Sequence, residues 1–503
     1  MDIFTSSKKI ARGAIIVFLG MLLSRVLAYL YVALVARLGS SKYGLLSLAI
    51  IIVSFISIFA TLGFRTGIVR YVSYFRGKND NRRIKGTIFS SLKLSLPLTL
   101  FLTALLFIFS EDISVLLFHN INLTPLLRLV SLTLPFVTLS DIFIAVITGF
   151  QKIEYNILAK EVINNIFKVL LTFVVIYLGY NLIGVTIIYI LSIIITAALS
   201  FYFLQKKVFP FLRTKLVPIL ITNELLFFSL PLIFGNVLTL IIKWTDVLMI
   251  GYFRTASEVG IYNVALPTAN LLVIVPTSLM ALFMPIITEL YSKKKFKDIK
   301  VISKINSKWI FFINFPLFLL ILLFSKEILK IMFGYEYVVG NVALLILSIG
   351  YMVRSLTHIN TSILTMIKKT KLILYIGFIS VLFNIILNYL LIPKYGMVGG
   401  SIATSFSFIF SYIFMFGASY KLTKIQPLRW NYLKSIIAGV ISFLIIFYIT
   451  KLIENITFIP FVLLSILFLI IYFILVYLFR GLDKDDKGII KSFYLRTKKL
   501  KIF

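Results

Sequence analysis

This 503-residue sequence predicts an all-α polytopic membrane protein of about fourteen transmembrane helices. Three observations carry that expectation. Hydrophobic residues make up 60% of the chain and charged residues 14%, against about 45–50% and 25% in soluble proteins. The mean hydropathy is +1.05. The 48 Phe and 26 Tyr are spread through long Ile/Leu runs that leave no polar stretch large enough for a soluble core, which excludes a separate catalytic domain.

A hydrocarbon layer about 30 Å thick needs roughly 20 apolar residues per helix. By that ruler the spans fall at 13–36, 44–63, 87–110, 126–149, 161–179, 183–204, 226–250, 261–287, 305–324, 339–366, 372–391, 400–420, 433–452 and 459–479. The first follows Lys8, Lys9 and Arg12 as a signal peptide would, but its apolar stretch is too long and has no small-residue cleavage site, so it is read as retained. Pro97, Pro135, Pro231, Pro267, Pro276, Pro285 and Pro316 interrupt spans, and the carbonyls they free permit bends that suit alternating access.

Charge orients the bundle. Lys and Arg number 51 against 18 Asp and Glu, a net +33. With the N-terminus cytoplasmic, about 38 basic residues fall in inside loops, about 7 outside and about 6 within spans, the asymmetry that basic inside loops produce. The basic runs are 65–85, 206–215, 293–308, 368–371, 421–434 and the tail 480–501. Both termini are therefore expected on the cytoplasmic side of the cell membrane. The excess charge is mostly this topology signal, plus an attraction to anionic membrane lipids of about 1 kcal/mol per residue. Nucleic acid is not an expected partner. The lack of Cys excludes disulfides, thiolate metal sites and Cys nucleophiles.

The chain also repeats. GMLLSRVLAYLYVALVARLGSSKYGLLSLA (20–49) recurs in outline as GNVLTLIIKWTDVLMIGYFRTASEVGIYNVA (235–265), and LGYNLIGVTIIYILS (178–192) as PKYGMVGGSIATSFS (393–407). Two matches at one offset of about 215 imply a six-span unit used twice, and an even number of spans makes the copies parallel, facing each other across a central cavity. The expected organisation is an N-terminal six-helix lobe at 1–204, a cytoplasmic linker at 205–225, a C-terminal six-helix lobe at 226–420, and two extra helices with a basic tail at 421–503.

Ionisable groups at membrane depth cost at least about 2.5 kcal/mol, so each must face a cavity, a partner or the interface. The candidates are Arg25 in span one, Arg128 and Asp141 in span four, Lys168 in span five, Lys243 and Asp246 in span seven, and Arg354 in span ten. Basic groups dominate, which suits an anionic group such as phosphate or pyrophosphate; Arg offers it bidentate donors and Lys a point charge. Arg25 lies near mid-span and cannot easily reach either interface. Arg128 and Lys168 have the alternative of snorkelling to an interface. Lys243 and Asp246, spaced i, i+3, either neutralise each other or serve a substrate or ion. Asp141 either pairs with Arg25 or carries a proton. No GxxxxGK[ST], HExxH, GxSxG or HxE with CxxC motif is present, and His119 and His358 form no metal cluster, so hydrolytic and metal chemistry have no visible carrier.

ARLGSSKYGLLSLA (36–49) followed by TLGFRTGIVRYVSYFRGKND (61–80) resembles the opening of the polysaccharide-biosynthesis branch of the MOP flippase superfamily. SLPLIFGNVLTLIIKWTDVLMIGYF with SEVGIYNVA, MPIITELYSKK, IMFGYEYVVG and LNYLLIPKYGMVGGSIATS extend the likeness over about residues 8 to 420. The resemblance implies twelve core helices and often two more. It also implies carriage of a polyprenyl- or dolichyl-linked oligosaccharide across the bilayer, with no cofactor and with a proton or sodium ion as candidate coupling ion. It places Arg25 as a cavity base, Asp246 as the span-seven aspartate, and Arg65 and Arg70 in the basic segment after span two, where a headgroup is first met. Glycan-assembly enzymes are the implied protein partners. Lys243 and Arg354 complete the expected cavity cations, with Asp141 or Asp246 balancing charge or coupling. Two rivals remain: a cation-coupled multidrug exporter of the same fold, which prefers an acidic or apolar cavity, and a membrane glycosyltransferase or polymerase, which usually needs a large outside loop that is lacking here.

Overall fold

A computed structural model describes residues 20, 23–426 and 432–479. Lys8, Lys9, Arg12, the first half of span one and the basic tail lie outside the described residues. Among those described, ten helices are long and apolar enough to cross a bilayer, from Ser40–Ala60 to Phe458–Leu478, and the shorter apolar helix Leu23–Ala36 precedes them. The chain is thus an all-helical polytopic membrane protein. Thr370–Thr423 runs for 54 residues, well beyond the thickness of a bilayer. Gly396, at φ 55 and ψ −134, breaks it into two helices. Only a residue without Cβ adopts that backbone cheaply, and the break falls between the spans expected at 372–391 and 400–420. Span five differs from expectation: it starts at Ile153–Asn156, passes through a π-helical segment at Ile157–Ile163 and ends with Asn164–Tyr177.

The described residues form two compact units, one up to Asn263 and one from Val264. In the first, Thr87, Ser91, Ser95, Thr99 and Thr103 recur every four residues along Asn81–Ile108, and all are buried. Without a hydrophobic force between helices in lipid, small residues let backbones approach. The hydroxyls of Thr87, Ser91, Thr99 and Thr103 are satisfied locally, as in Ser91 to the Thr87 carbonyl at 2.7 Å and Thr99 to that of Ser95 at 2.6 Å, whereas Ser95 Oγ has no partner among the described residues. After Ser40–Ala60 the chain turns through Leu62 and Gly63, both at positive φ, into the amphipathic helix Phe64–Gly77. Phe64, Ile68, Val72 and Phe75 pack into the unit's core, while Arg65, Arg70 and Arg76 are exposed.

The non-helical stretch 209–221 is strapped to this same core. Phe209, Phe211 and Ile221 are buried in it. Lys85, only 8% exposed, donates from Nζ to the carbonyls of Thr214 (2.7 Å) and Leu216 (3.0 Å). A Cβ on Gly86 would stand 1.7 Å from the Ile219 carbonyl oxygen, so the strap lies directly on that residue. Ser90 Oγ then accepts the Ile221 N–H at 3.0 Å. A buried ammonium needs such acceptors, and removing it leaves two carbonyls unpaired. Lys85→Met is expected to lower stability by about 3 kcal/mol. Thermal unfolding of the purified protein reads this loss, and faster tryptic cleavage after the exposed Arg213 and Lys215 localises it to the strap.

In the second unit, Pro276 has no N–H for the carbonyl of Leu272 one turn earlier. Asn314 Nδ2 donates to that carbonyl at 2.8 Å, and the adjoining Leu271–Val273 is a 3-10 turn. Asn314→Leu therefore exposes the cost of the kink: a loss of about 1 to 2 kcal/mol, measured as a fall in melting temperature. The last two helices, Tyr432–Lys451 and Phe458–Leu478, pack on Phe296–Leu323. Tyr472 is buried and donates to the Phe312 carbonyl at 3.1 Å, and Gly439 leaves room for Phe315.

Candidate functional site

The anticipated charges of the first unit separate into paired and unpaired sets. Asp141, on Leu134–Gly149, pairs with Lys160 at 3.0 Å and not with Arg25. Asp246, only 4% exposed, accepts a hydrogen bond from the Tyr262 hydroxyl at 2.8 Å. Arg128 is held at its helix end by Ser110 Oγ (2.9 Å) and Glu111 (3.4 Å), a structural tether in place of a substrate contact. Lys168 lies 5.1 Å from the Tyr31 ring, within electrostatic reach of Glu161.

Arg25 and Lys243 behave differently. Arg25 is exposed on the Leu23–Ala36 helix, and Lys243 is exposed on Thr222–Phe253 with its ammonium 4.5 Å from the Trp244 ring. Their two positive charges lie within electrostatic reach of each other. Among the described residues no carboxylate pairs with either. Two like charges within electrostatic reach of each other in apolar spans, with no carboxylate paired to either among the described residues, favour water or an anion beside them. Arg is suited to grip an oxyanion with two parallel bonds and Lys to add charge.

Arg65 and Arg70 stand on the exposed side of Phe64–Gly77, where Arg70 lies 4.3 Å from the ring of Phe228. In the second unit Arg354, on Asn341–Met366, is half-buried and sits 4.5 Å from the Phe408 ring and 5.6 Å from that of Tyr351. It too has no carboxylate partner among the described residues.

Sequence reasoning missed Lys160 and Glu161. Both fall in the π-helical segment, whose extra residue per turn redirects adjacent side chains. Lys160 reaches Asp141, whereas Glu161 accepts from Ser24 at 2.6 Å; Ser24 in turn accepts from Asn165 Nδ2 at 3.0 Å. The available signal was the polar cluster Lys160, Glu161, Asn164 and Asn165 at the mouth of an apolar run.

A further feature concerns how helices meet. A Cβ on Gly44 would lie 1.8 Å from the carbonyl oxygen of Ala256, and one on Gly260 would lie 2.0 Å from that of Ser40. The two contacts exchange under the repeat offset of about 215, so the copies of the repeated turn meet as a self-complementary pair. Ser40 Oγ and Ser257 Oγ, 2.7 Å apart, close the junction.

Comparison with known proteins places these features in context. The sequence profile of the family described as polysaccharide biosynthesis protein matches residues 10–291, and that described as MatE matches 231–390. A membrane protein of Methanocaldococcus jannaschii, itself uncharacterised, is 27% identical over 463 residues, 89% of this chain and 91% of its own length. A probable low-salt glycan biosynthesis flippase of Haloferax volcanii is 31% identical over 166 residues, 33% of this chain and 35% of the relative. The structure of the lipid II flippase MurJ in an inward closed conformation superposes with a TM-score of 0.71 at 19% identity, covering 92% of this chain and 98% of that one, a likeness of fold.

Proposed function

We propose that this chain, which belongs to the polysaccharide biosynthesis protein family and is a multi-pass transporter of the MOP superfamily rather than an enzyme, flips lipid-linked oligosaccharide. The substrate is a polyprenyl- or dolichyl-(pyro)phosphate-linked glycan, moved from the cytoplasmic to the outer leaflet by alternating access for surface polysaccharide or glycoprotein glycan synthesis. The observation that carries this reading is a pair of cations, Arg25 and Lys243, with which no carboxylate pairs among the described residues. In this reading they hold the (pyro)phosphate, Arg65 and Arg70 meet the headgroup first, and the isoprenoid tail stays in lipid. Arg354 is the anion-binding group of the second unit. Asp246, which accepts from the Tyr262 hydroxyl, or Asp141, which pairs with Lys160, balances charge or takes the coupling ion. Glycan-assembly enzymes supply and consume the substrate.

The alternating halves are the six-span repeats at 1–204 and 226–420, joined through 205–225. With the basic loops and both termini cytoplasmic, the Gly44 and Gly260 contact lies at the outer end of its helices and closes that end. A cation exporter of the same fold would prefer an acidic or apolar cavity where these cations stand. The test is genetic: cells lacking the protein accumulate lipid-linked oligosaccharide in the cytoplasmic leaflet, and accumulation of a toxic organic cation in its place contradicts the proposal.

A further inference from the structure

Arg354 has a neighbour that the proposed function leaves unused. His358 follows it by four residues on Asn341–Met366, which puts both side chains on one helix face. The two groups lie within electrostatic reach of each other. The Nε2 atom of His358 is buried and has no hydrogen-bond partner among the described residues. Buried polar atoms are nearly always partnered, so an orphaned ring nitrogen calls for an explanation. Arg354 poses the same question from the charge side. Phe408 and Tyr351 hold its guanidinium by their ring faces, an attraction that leaves the N–H edge of the guanidinium for another acceptor. An unpaired cation and an unpaired ring nitrogen one helical turn apart share one missing group: an acceptor with negative charge.

We propose that Arg354 and His358 form a phosphate subsite in the second unit, in which the guanidinium pairs with one oxygen of the anion and His358 Nε2–H donates to another. This deepens the flippase reading and rests on it for the source of the phosphate, the carrier lipid's diphosphate. A neutral imidazole is sufficient, since its N–H donates without carrying charge. Aromatic packing fixes the guanidinium in place before the ligand arrives, so little ordering is left for binding to supply.

The test uses the full chain in lipid nanodiscs, titrated with inorganic pyrophosphate and, separately, with polyprenyl diphosphate, for wild type, His358→Leu, His358→Gln and Arg354→Gln. His358→Leu is expected to weaken binding of both probes at least about tenfold, the scale of one hydrogen bond to a charged group. His358→Gln, whose amide N–H stands near the position of Nε2, is expected to recover most of that loss, which also guards against a folding defect in the Leu variant. Arg354→Gln is expected to weaken binding more than His358→Leu. If inorganic pyrophosphate binds with this His358 dependence and polyprenyl diphosphate does not bind, the subsite stands and the flippase reading fails. Equal affinity of wild type, Leu and Gln variants for pyrophosphate, or no binding of either probe by wild type, overturns the subsite.

Discussion

Arg25→Ala is expected to abolish transport while leaving the protein at least as stable as wild type. The reasoning is electrostatic. Arg25 is exposed on its helix, has no carboxylate partner among the described residues, and lies in the field of Lys243. Removing a structural ion-pair partner destabilises, because it strands the other charge. Removing one of two repelling cations relieves strain instead. In the proposed reading, what is lost is the bidentate grip on an oxyanion, two charge-assisted hydrogen bonds of about 1.5 kcal/mol or more each, which corresponds to a fall of roughly a hundredfold or more in transport rate. Arg25→Lys keeps the charge and gives up the fork, so it is expected to fall between the two. Transport rates and melting temperatures measured on the same preparations check both halves of the statement. A drop in stability together with transport would make Arg25 structural.

A disulfide between Ser40→Cys and Ser257→Cys is expected to stop transport reversibly. The two hydroxyl oxygens are 2.7 Å apart, close enough for replacement sulfurs to bond with a small adjustment. The chain has no cysteine, so the double variant contains no competing thiol. The junction they would lock is the one where Gly44 and Gly260 each press on a carbonyl of the other copy of the repeat. No side chain fits there, and the contact is therefore as close as two helices come. In the proposed alternating-access reading that end must open, so the oxidised protein should retain less than about a tenth of its rate, a block worth at least about 1.4 kcal/mol at the opening step, and reductant should restore it. Gly44→Leu is the complementary case, because the added side chain prevents closure and is expected to impair transport without any oxidant. Full transport by the oxidised pair would show that the junction never parts.

The membrane fold and the repeated turn were legible because both are written in local pattern. Runs of about 20 apolar residues mark spans, and Gly44 and Gly260 stand at equivalent places in the repeat because close backbone contact tolerates only Gly there. Pro276 announced a kink, but only the structure shows that Asn314, 38 residues later in the chain, satisfies the carbonyl it frees. The site was partly legible. Arg25, Lys243 and Arg354 stood out as ionisable groups in apolar runs, yet whether each was paired depended on neighbours distant in sequence. Asp141 illustrates this: its partner Lys160 lies in a π-helical segment, and a span boundary placed by hydropathy at 161 left that lysine in a loop. Lys85 was counted as a loop charge of the basic run 65–85, and the structure buries it under the strap it fastens. His358 was considered only as a metal ligand, and its orphaned nitrogen becomes visible once its surroundings are built.

The central claim is that this protein moves lipid-linked oligosaccharide between leaflets. The most direct measurement is the transbilayer movement of a labelled polyprenyl diphosphate oligosaccharide in vesicles containing the purified chain, with and without an ion gradient. Movement that requires the protein and is lost in Arg25→Ala is the predicted result. Vesicles that leave the labelled glycan in its original leaflet under every gradient, yet export an organic cation, would contradict the account.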